Sequence, residues 1–142
     1  MSTTKPLDGI KVIEISTIIT ASLSAMMLSD QGAEVIKIEQ TGFGDPLRYL
    51  GTQKGGISAI FANTNRGKKS IELDLKNESD LEHAKKLISE ADVLINNFRP
   101  GVMDSLGLGK EDCKTINKNL INVAITGFGK EGPYANAPAY DH

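Results

Sequence analysis

Four short runs rich in β-branched and other apolar residues recur along the chain: IKVIEI (10–15), EVIKIE (34–39), DVLINN (92–97) and LINVAIT (120–126). Runs of this length and composition read as strands. The intervening segments follow a different period. ITASLSAMMLSDQG is apolar over most of a helical surface and is ended by Gly32. Leu81, Ala84, Leu87 and Ile88 mark one face of another helix, preceded by Ser79-Asp80-Leu81-Glu82 in the form of a capping box. SIELDL (70–75) alternates as an extended segment, and RPGVMDSLGLG reads as a short helix opened by Pro100 and closed by Gly107. Strand–helix–strand alternation predicts an α/β fold, an open parallel sheet with helices on both faces. Ligands of such sheets gather beyond the carboxyl ends of the strands, which singles out the loops after Ile15, Glu39, Asn97 and Thr126. QTGFGDPLRYLGTQKGG, after the second run, is too long for a plain connector.

Composition removes several functional classes. At 142 residues, 39% hydrophobic and 24% charged, the chain has the size and make-up of one globular domain. A formal net charge of −2 offers no excess of positive charge for nucleic acid or a membrane surface. No apolar run is long enough to span a bilayer, and MSTTKPLDG lacks the layout of a secretion signal. The single cysteine, Cys113, excludes a disulfide framework within the chain and favours a reducing compartment, so a cytoplasmic location is expected. With no histidine nearby in GKEDCKTIN, Cys113 is not a candidate nucleophile.

TGFGKEGPYANAP poses the sharpest question. Gly127, Gly129 and Gly132 carry the G-x-G-x-x-G spacing of a dinucleotide-binding turn. That turn works only when a helix N-terminus follows and points its free N–H groups at a pyrophosphate. Here Pro133 follows at once, Pro138 five residues later, and no apolar periodicity intervenes. The first strand-to-helix turn, EISTIITASLSAMM, has no glycine, which leaves Glu39 alone where an acidic ribose ligand would stand. A nicotinamide-dependent enzyme is therefore rejected. His83 lies between Glu82 and Lys86 in solvated surroundings, His142 ends the chain, and no metal-ligand spacing or G-x-S-x-G elbow is present. NRGKKS (65–70) has two readings, a phosphate contact or a solvated turn before a strand. Asn97, Phe98 and Arg99 set an amide, a ring and a cation at one strand tip, the composition of a ligand rim. From the residues alone the chain is a ligand-binding α/β domain.

The order of five segments adds to this: PLDGIKVIEIS, MLSDQGAEVIKIEQTGFGDPLR, NRGKKSIELDLK, ADVLINNFRPGVMDSLGLG and LINVAITGFGKEGPYANAPAYD. Together, from Pro6 to Asp141, they resemble the amino-terminal part of the class III CoA-transferases, the family of formyl-CoA and carnitine CoA-transferases. The resemblance implies a Rossmann-like amino-terminal portion of a larger two-domain protein. Residues 1–142 would be its CoA-binding domain, incomplete and without the second domain. It implies transfer of coenzyme A from an acyl-CoA donor to a carboxylic acid acceptor, with an aspartate attacking the thioester to form a mixed anhydride. It further implies an intertwined homodimer and no need for a metal or redox cofactor.

Carried over position by position, the resemblance puts coenzyme A against Ile19 and Thr20, against Leu73 to Lys76, and against Asn97, Phe98 and Arg99. Gln40 and Ser105 stand where basic residues are common, so contacts to the CoA phosphates are expected to be fewer, with NRGKKS as a compensating patch. GFGKEGP resembles the family's loop near the active site, where the glycines serve flexibility and close approach. Tyr140 falls at the substrate side, at the position that holds a histidine base in α-methylacyl-CoA racemases. A phenol with an ordinary pKa of about 10 is a poor base near neutrality, which favours transfer over racemisation. The catalytic aspartate is expected beyond His142, Asp141 resembling only the aspartate of a shared YD element, so the chain is expected to be inactive alone. A CoA-binding or dimerisation domain without chemistry is the remaining alternative.

Overall fold

The computed structural model describes residues 4–139, so Tyr140, Asp141 and His142 lie outside the described residues. In chain order the elements are β1 (Lys11–Ile15), α1 (Thr20–Asp30), β2 (Glu34–Glu39), a 3₁₀ turn (Pro46–Tyr49), the two-residue strands β3 (Gln53–Lys54) and β4 (Ile57–Ser58), α2 (Ala59–Asn65) and β5 (Lys69–Glu72). Then follow α3 (Glu78–Ser89), β6 (Val93–Asn96), α4 (Val102–Ser105), α5 (Lys110–Ile116) and β7 (Ile121–Ala124). β3 and β4 pair as a small antiparallel hairpin; the other five strands form one sheet in the order β5-β2-β1-β6-β7, parallel at every pairing. The α/β fold expected from the alternation is the one observed.

Central parallel strands are covered on both faces, which is why they read as nearly continuous apolar runs. β1 is buried from Val12 to Ile15. Its alternate side chains enter two separate cores. Ile13 and Ile15 join Ile38, Leu94, Ala84, Ile88, Met103, Leu108 and Cys113 beneath α3, α4 and α5. Val12 joins Val35, Ile95, Ala21, Ala25 and Ala33 on the face covered by α1. The small side chains Ala21, Ser22 and Ala25 are the buried ones of α1, apart from Met26, and they let this helix lie close to the sheet. α3 buries Ala84 and Ile88 with Leu81 and Leu87 beside them, the face expected from their spacing.

Two local expectations need correction. α3 is capped by Asn77, not Ser79: Asn77 Oδ1 accepts from the N–H groups of Ser79 (3.0 Å) and Asp80 (3.3 Å), so Ser79 is already helical. α4 is preceded by Gly101 at φ 85°, not opened by Pro100, because the chain needs a left-handed residue there. α2, α5 and the β3–β4 hairpin have no counterpart in the sequence reading. Gly32 does end α1, at φ 110°, and a Cβ on it would come within 2.6 Å of Asp8 Oδ1.

Candidate functional site

From β1 the chain builds outward through β2 to β5, then returns to lay β6 on the other side of β1. The carboxyl ends of β1 and β6 thus flank the point where strand order reverses, the usual ligand crevice of open α/β sheets. Ile15 is in register with Asn96, which brings residues 16–20 beside residues 97–99. The Asn97 side chain joins the two: Thr17 N donates to its Oδ1 (3.1 Å), and its Nδ2 donates to Thr17 O (2.8 Å) and Thr20 Oγ1 (3.1 Å). Between them Ile18 has φ 65°, the one positive φ at a non-glycine among the described residues. For a β-branched residue this is a true outlier, costing about 1–3 kcal/mol, and such strain collects at binding sites. The Ile18 and Ile19 side chains are about 40% exposed at this tip (40% and 39%).

Behind the crevice runs a buried polar seam. On the α1 face of the sheet, side chains change from apolar to charged toward the carboxyl ends: Val12 then Glu14 on β1, Val35 then Lys37 then Glu39 on β2. Glu14 and Lys37 are register partners, and both side chains are at most 1% exposed. Lys37 Nζ donates to Glu14 Oε1 (2.6 Å) and Ser22 Oγ (2.9 Å), and lies 2.9 Å from Asp45 Oδ2 in an ion pair without hydrogen-bond alignment. Lys68 Nζ donates to Glu14 Oε2 (2.6 Å), Asn65 Oδ1 and Ser22 O. Burial alone would push the Glu14 carboxyl up, but Lys37 and Lys68 together outweigh it and hold its pKa below the usual range. Burial lowers Lys68, partly offset by Glu14.

At the edge of the seam, Glu39 takes both oxygens to Arg48 (2.8 and 2.7 Å) and also accepts from Ser70 Oγ and Asp45 N. Against the upward push of burial, the Arg48, Ser70 and Asp45 bonds lower its pKa to about 2. Arg48 in turn lies 4.0 Å over the Phe61 ring. Glu39 is therefore occupied by protein partners and does not stand free as a ribose ligand, which agrees with the rejected nicotinamide reading.

The parallel sheet brings most predicted residues to one end. Ile19, Thr20, Asn97 and Phe98 stand at the switch-point tips, with exposed Arg99 beside them. Gln40 is exposed directly after β2, and Lys76 is exposed past β5. Leu73 is 7% exposed and packed in the α3-side core, so its side chain lies inside rather than on a rim. Ser105 is exposed, its Oγ turned back onto Val102 O (2.7 Å). Phe98 and Arg99 also line a shallow concavity at the β6–β7 tips with Asn122, Thr126 and Lys130. A second concavity, lined by Lys11, Glu34 and Glu90, lies at the amino ends of β1 and β2 and contains no predicted residue.

The basic patch does not behave as a free phosphate contact: Arg66 pairs with Asp30, Lys68 with Glu14 and Lys69 with Glu34. After Gly132 the described chain forms only turns, so the G-x-G-x-x-G spacing opens no helix. A Cβ on Gly127 would overlap Ala139. Cys113 is buried, donates to Leu108 O (3.2 Å), and has its pKa raised to about 11, first by burial and then by Asp112. Among the described residues no helix is long and apolar enough to cross a membrane, and no group of three or more His, Cys, Asp or Glu could hold a metal ion. The seam was missed in the sequence although its signal is there: Glu14 within IKVIEI and Lys37 within EVIKIE, each flanked by apolar residues in strands that must be covered on both faces, require partners.

The fold is that of a doubly wound α/β domain whose first strand-to-helix turn, residues 16–19, carries no glycine. The chain belongs to CoA-transferase family III, whose profile matches residues 7–142. It is 45% identical to the acetyl-CoA:oxalate CoA-transferase of Acetobacter aceti over 96% of its own length and 35% of that protein's. To the human succinyl-CoA:glutarate CoA-transferase it is 37% identical, over 99% of its length and 32% of the relative's. Its backbone superposes on the crystal structure of a CAIB/BAIF family protein from Brucella suis with a TM-score of 0.92 at 42% identity, covering 98% of this chain and 38% of that one. The chain thus spans about a third of the length of the relatives it matches.

Proposed function

We propose that residues 1–142 are the CoA-binding amino-terminal domain of an acyl-CoA:carboxylate CoA-transferase. The supporting observation is the switch-point crevice, where Asn97 joins the β1 and β6 tips beside Ile19, Thr20, Phe98 and Arg99 in a chain of this family. In this reading Thr20 and Asn97 fix the crevice wall, Phe98 supplies an apolar face and Arg99 a cation for the coenzyme's phosphates. Gln40, Lys76 and Ser105 border the path with polar side chains, and Leu73 contributes through its backbone. The coenzyme arrives as part of the acyl-CoA substrate. An aspartate outside residues 1–142 attacks the thioester carbonyl, giving an aspartyl anhydride and the CoA thiolate; the thiolate attacks the aspartyl carbonyl and releases the donor carboxylate, the acceptor carboxylate then displaces the thiolate to form a second anhydride, and the thiolate takes the acceptor acyl group from it and frees the aspartate. Tyr140 borders the substrate. No metal or redox group takes part, the whole protein works as an intertwined homodimer in the cytoplasm, and residues 1–142 alone catalyse no transfer.

The test is a calorimetric titration of free CoA into the full-length protein and its Asn97→Ala and Phe98→Ala variants. Each substitution is expected to weaken binding about tenfold or more, in line with removing a buried polar or aromatic contact. Unchanged affinity in both would remove this crevice as the coenzyme site. Acetyl-CoA with oxalate is the first donor–acceptor pair to assay, given the relative from Acetobacter aceti. Hydroxylamine trapping of an acyl-enzyme separates transfer from racemisation and from binding without chemistry.

A further inference from the structure

Asp45 lies in the long loop after β2, far in sequence from the β1 tip, yet its side chain is wholly buried. One oxygen, Oδ1, accepts from Ile18 N (3.0 Å) and from Leu47 N (2.8 Å). The other faces Lys37 Nζ at 2.9 Å, and the Asp45 backbone N–H is held by Glu39 Oε2 (2.8 Å). The residue is therefore fixed on every side before it reaches Ile18. Ile18 is the strained position of the crevice, at φ 65°. A β-branched residue stays in the left-handed region only where its surroundings over-determine it. Asn97 holds the preceding residue through Thr17 N and Thr17 O, but Ile18 N is held by Asp45 alone. α1 starts immediately afterwards with no side-chain cap, so the direction in which its first turn leaves the crevice depends on this one residue's backbone.

We propose that Asp45 is a positioning residue for coenzyme A: anchored by Lys37, it clamps the Ile18 N–H, holds the turn left-handed, and thereby presents Ile18, Ile19 and the start of α1 to the ligand. The proposal rests on the CoA-binding reading above. Asp45 touches no ligand itself, being 1% exposed. Its effect passes through the backbone of Ile18, and this separates it from the rim residues that meet the coenzyme directly.

Glycine supplies the discriminating control, because it adopts a φ of this sign without strain. In the full-length protein, Asp45→Ala is expected to weaken CoA binding by about tenfold, the loss of a clamp on one strained residue. In an Ile18→Gly background the same Asp45→Ala change is expected to cost less than about threefold, since the turn then needs no clamp. Asp45→Asn, which keeps an acceptor oxygen, is expected to bind closer to the unsubstituted protein than Asp45→Ala does. An equal loss with and without the Ile18→Gly substitution, or no loss in either case, would overturn the proposal. Should Asp45→Ala fail to fold because Lys37 is stranded, Asp45→Ala with Lys37→Met removes the stranded charge and carries the same comparison. Amide exchange reads the clamp independently of ligand: the Ile18 N–H is expected to be protected, and free exchange there would refute the clamp. Failure of the unsubstituted protein to bind CoA would instead overturn the functional reading, and the Ile18 exchange result would still decide for or against the clamp.

Discussion

Lys37 sits in the middle of a parallel strand with a side chain 1% exposed; it is the cation paired with Asp45, and it shares Glu14 with Lys68. Removing one member of a buried pair leaves the others charged in a medium that solvates them poorly, which costs about 3–5 kcal/mol. Lys37→Met is therefore expected to lower unfolding stability by about that amount, read from urea midpoints at constant m-value. A loss below about 1 kcal/mol would mean that water reaches the seam. Lys69 gives the contrast. Its pair with Glu34 is equally short, but the side chains are 70% and 43% exposed, so the pair adds little to stability. Distance alone does not rank ion pairs; burial does.

At the scale of elements, Asn117 holds together pieces that the sheet does not. Its Nδ2 donates to Ile88 O (3.3 Å), Ser89 O (3.4 Å) and Ala91 O (2.8 Å), so the end of α5 satisfies carbonyls at the end of α3 and just before β6. Asn117→Ala is expected to cost about 1–2 kcal/mol in denaturant unfolding while leaving CoA affinity unchanged, since the joint lies at the amino end of β6, away from the crevice. How much of the architecture is legible from sequence follows from element size. β1, β2, β6 and α3 show because long or largely buried elements leave an apolar signature, whereas β7, an edge strand with no buried residue, shows only through its β-branched composition. α2 and α5 do not: each has seven residues and buries a single one, Thr64 and Cys113 respectively. The cap of α3 was shifted by two residues because Asn77 and Ser79 both fit a cap, and only the backbone decides between them. In the site, the strand-tip residues are legible because the parallel sheet forces all carboxyl ends to one edge. Asp45 and Lys37 are not, because their roles depend on which distant segment folds over them.

For the whole molecule, acid sets a limit that can be derived from the same contacts. The Glu39 carboxyl is depressed from 4.5 to about 2 by its partners, and Glu14 is lowered as well. A group depressed in the folded state contributes fully above its unfolded pKa and loses that contribution as pH falls through the folded value. Stability is thus expected to decline between about pH 4.5 and pH 2, with Glu39 contributing at most about 1 kcal/mol per pH unit after allowing for the solvent exposure of Arg48. Glu39→Gln is expected to be less stable at pH 7 but to show a shallower decline across that window, measured as urea midpoints at stepped pH. An identical slope in both proteins would show that Glu39 titrates normally. The β1, β2 and β6 tips and the loop carrying Asp45, which together support the crevice, all fall within the third of its relatives' length that this chain spans.

Within the seam the buried charges Glu14, Asp45, Lys37 and Lys68 sum to zero, and each touches at least one of the others, while buried Glu39 is matched separately by Arg48. Loss of either lysine alone leaves the quartet with net negative charge, and loss of either carboxylate alone leaves it with net positive charge. Removing Lys37 together with Asp45 leaves Glu14 still matched by Lys68, so the paired change is expected to cost less stability than Lys37→Met alone.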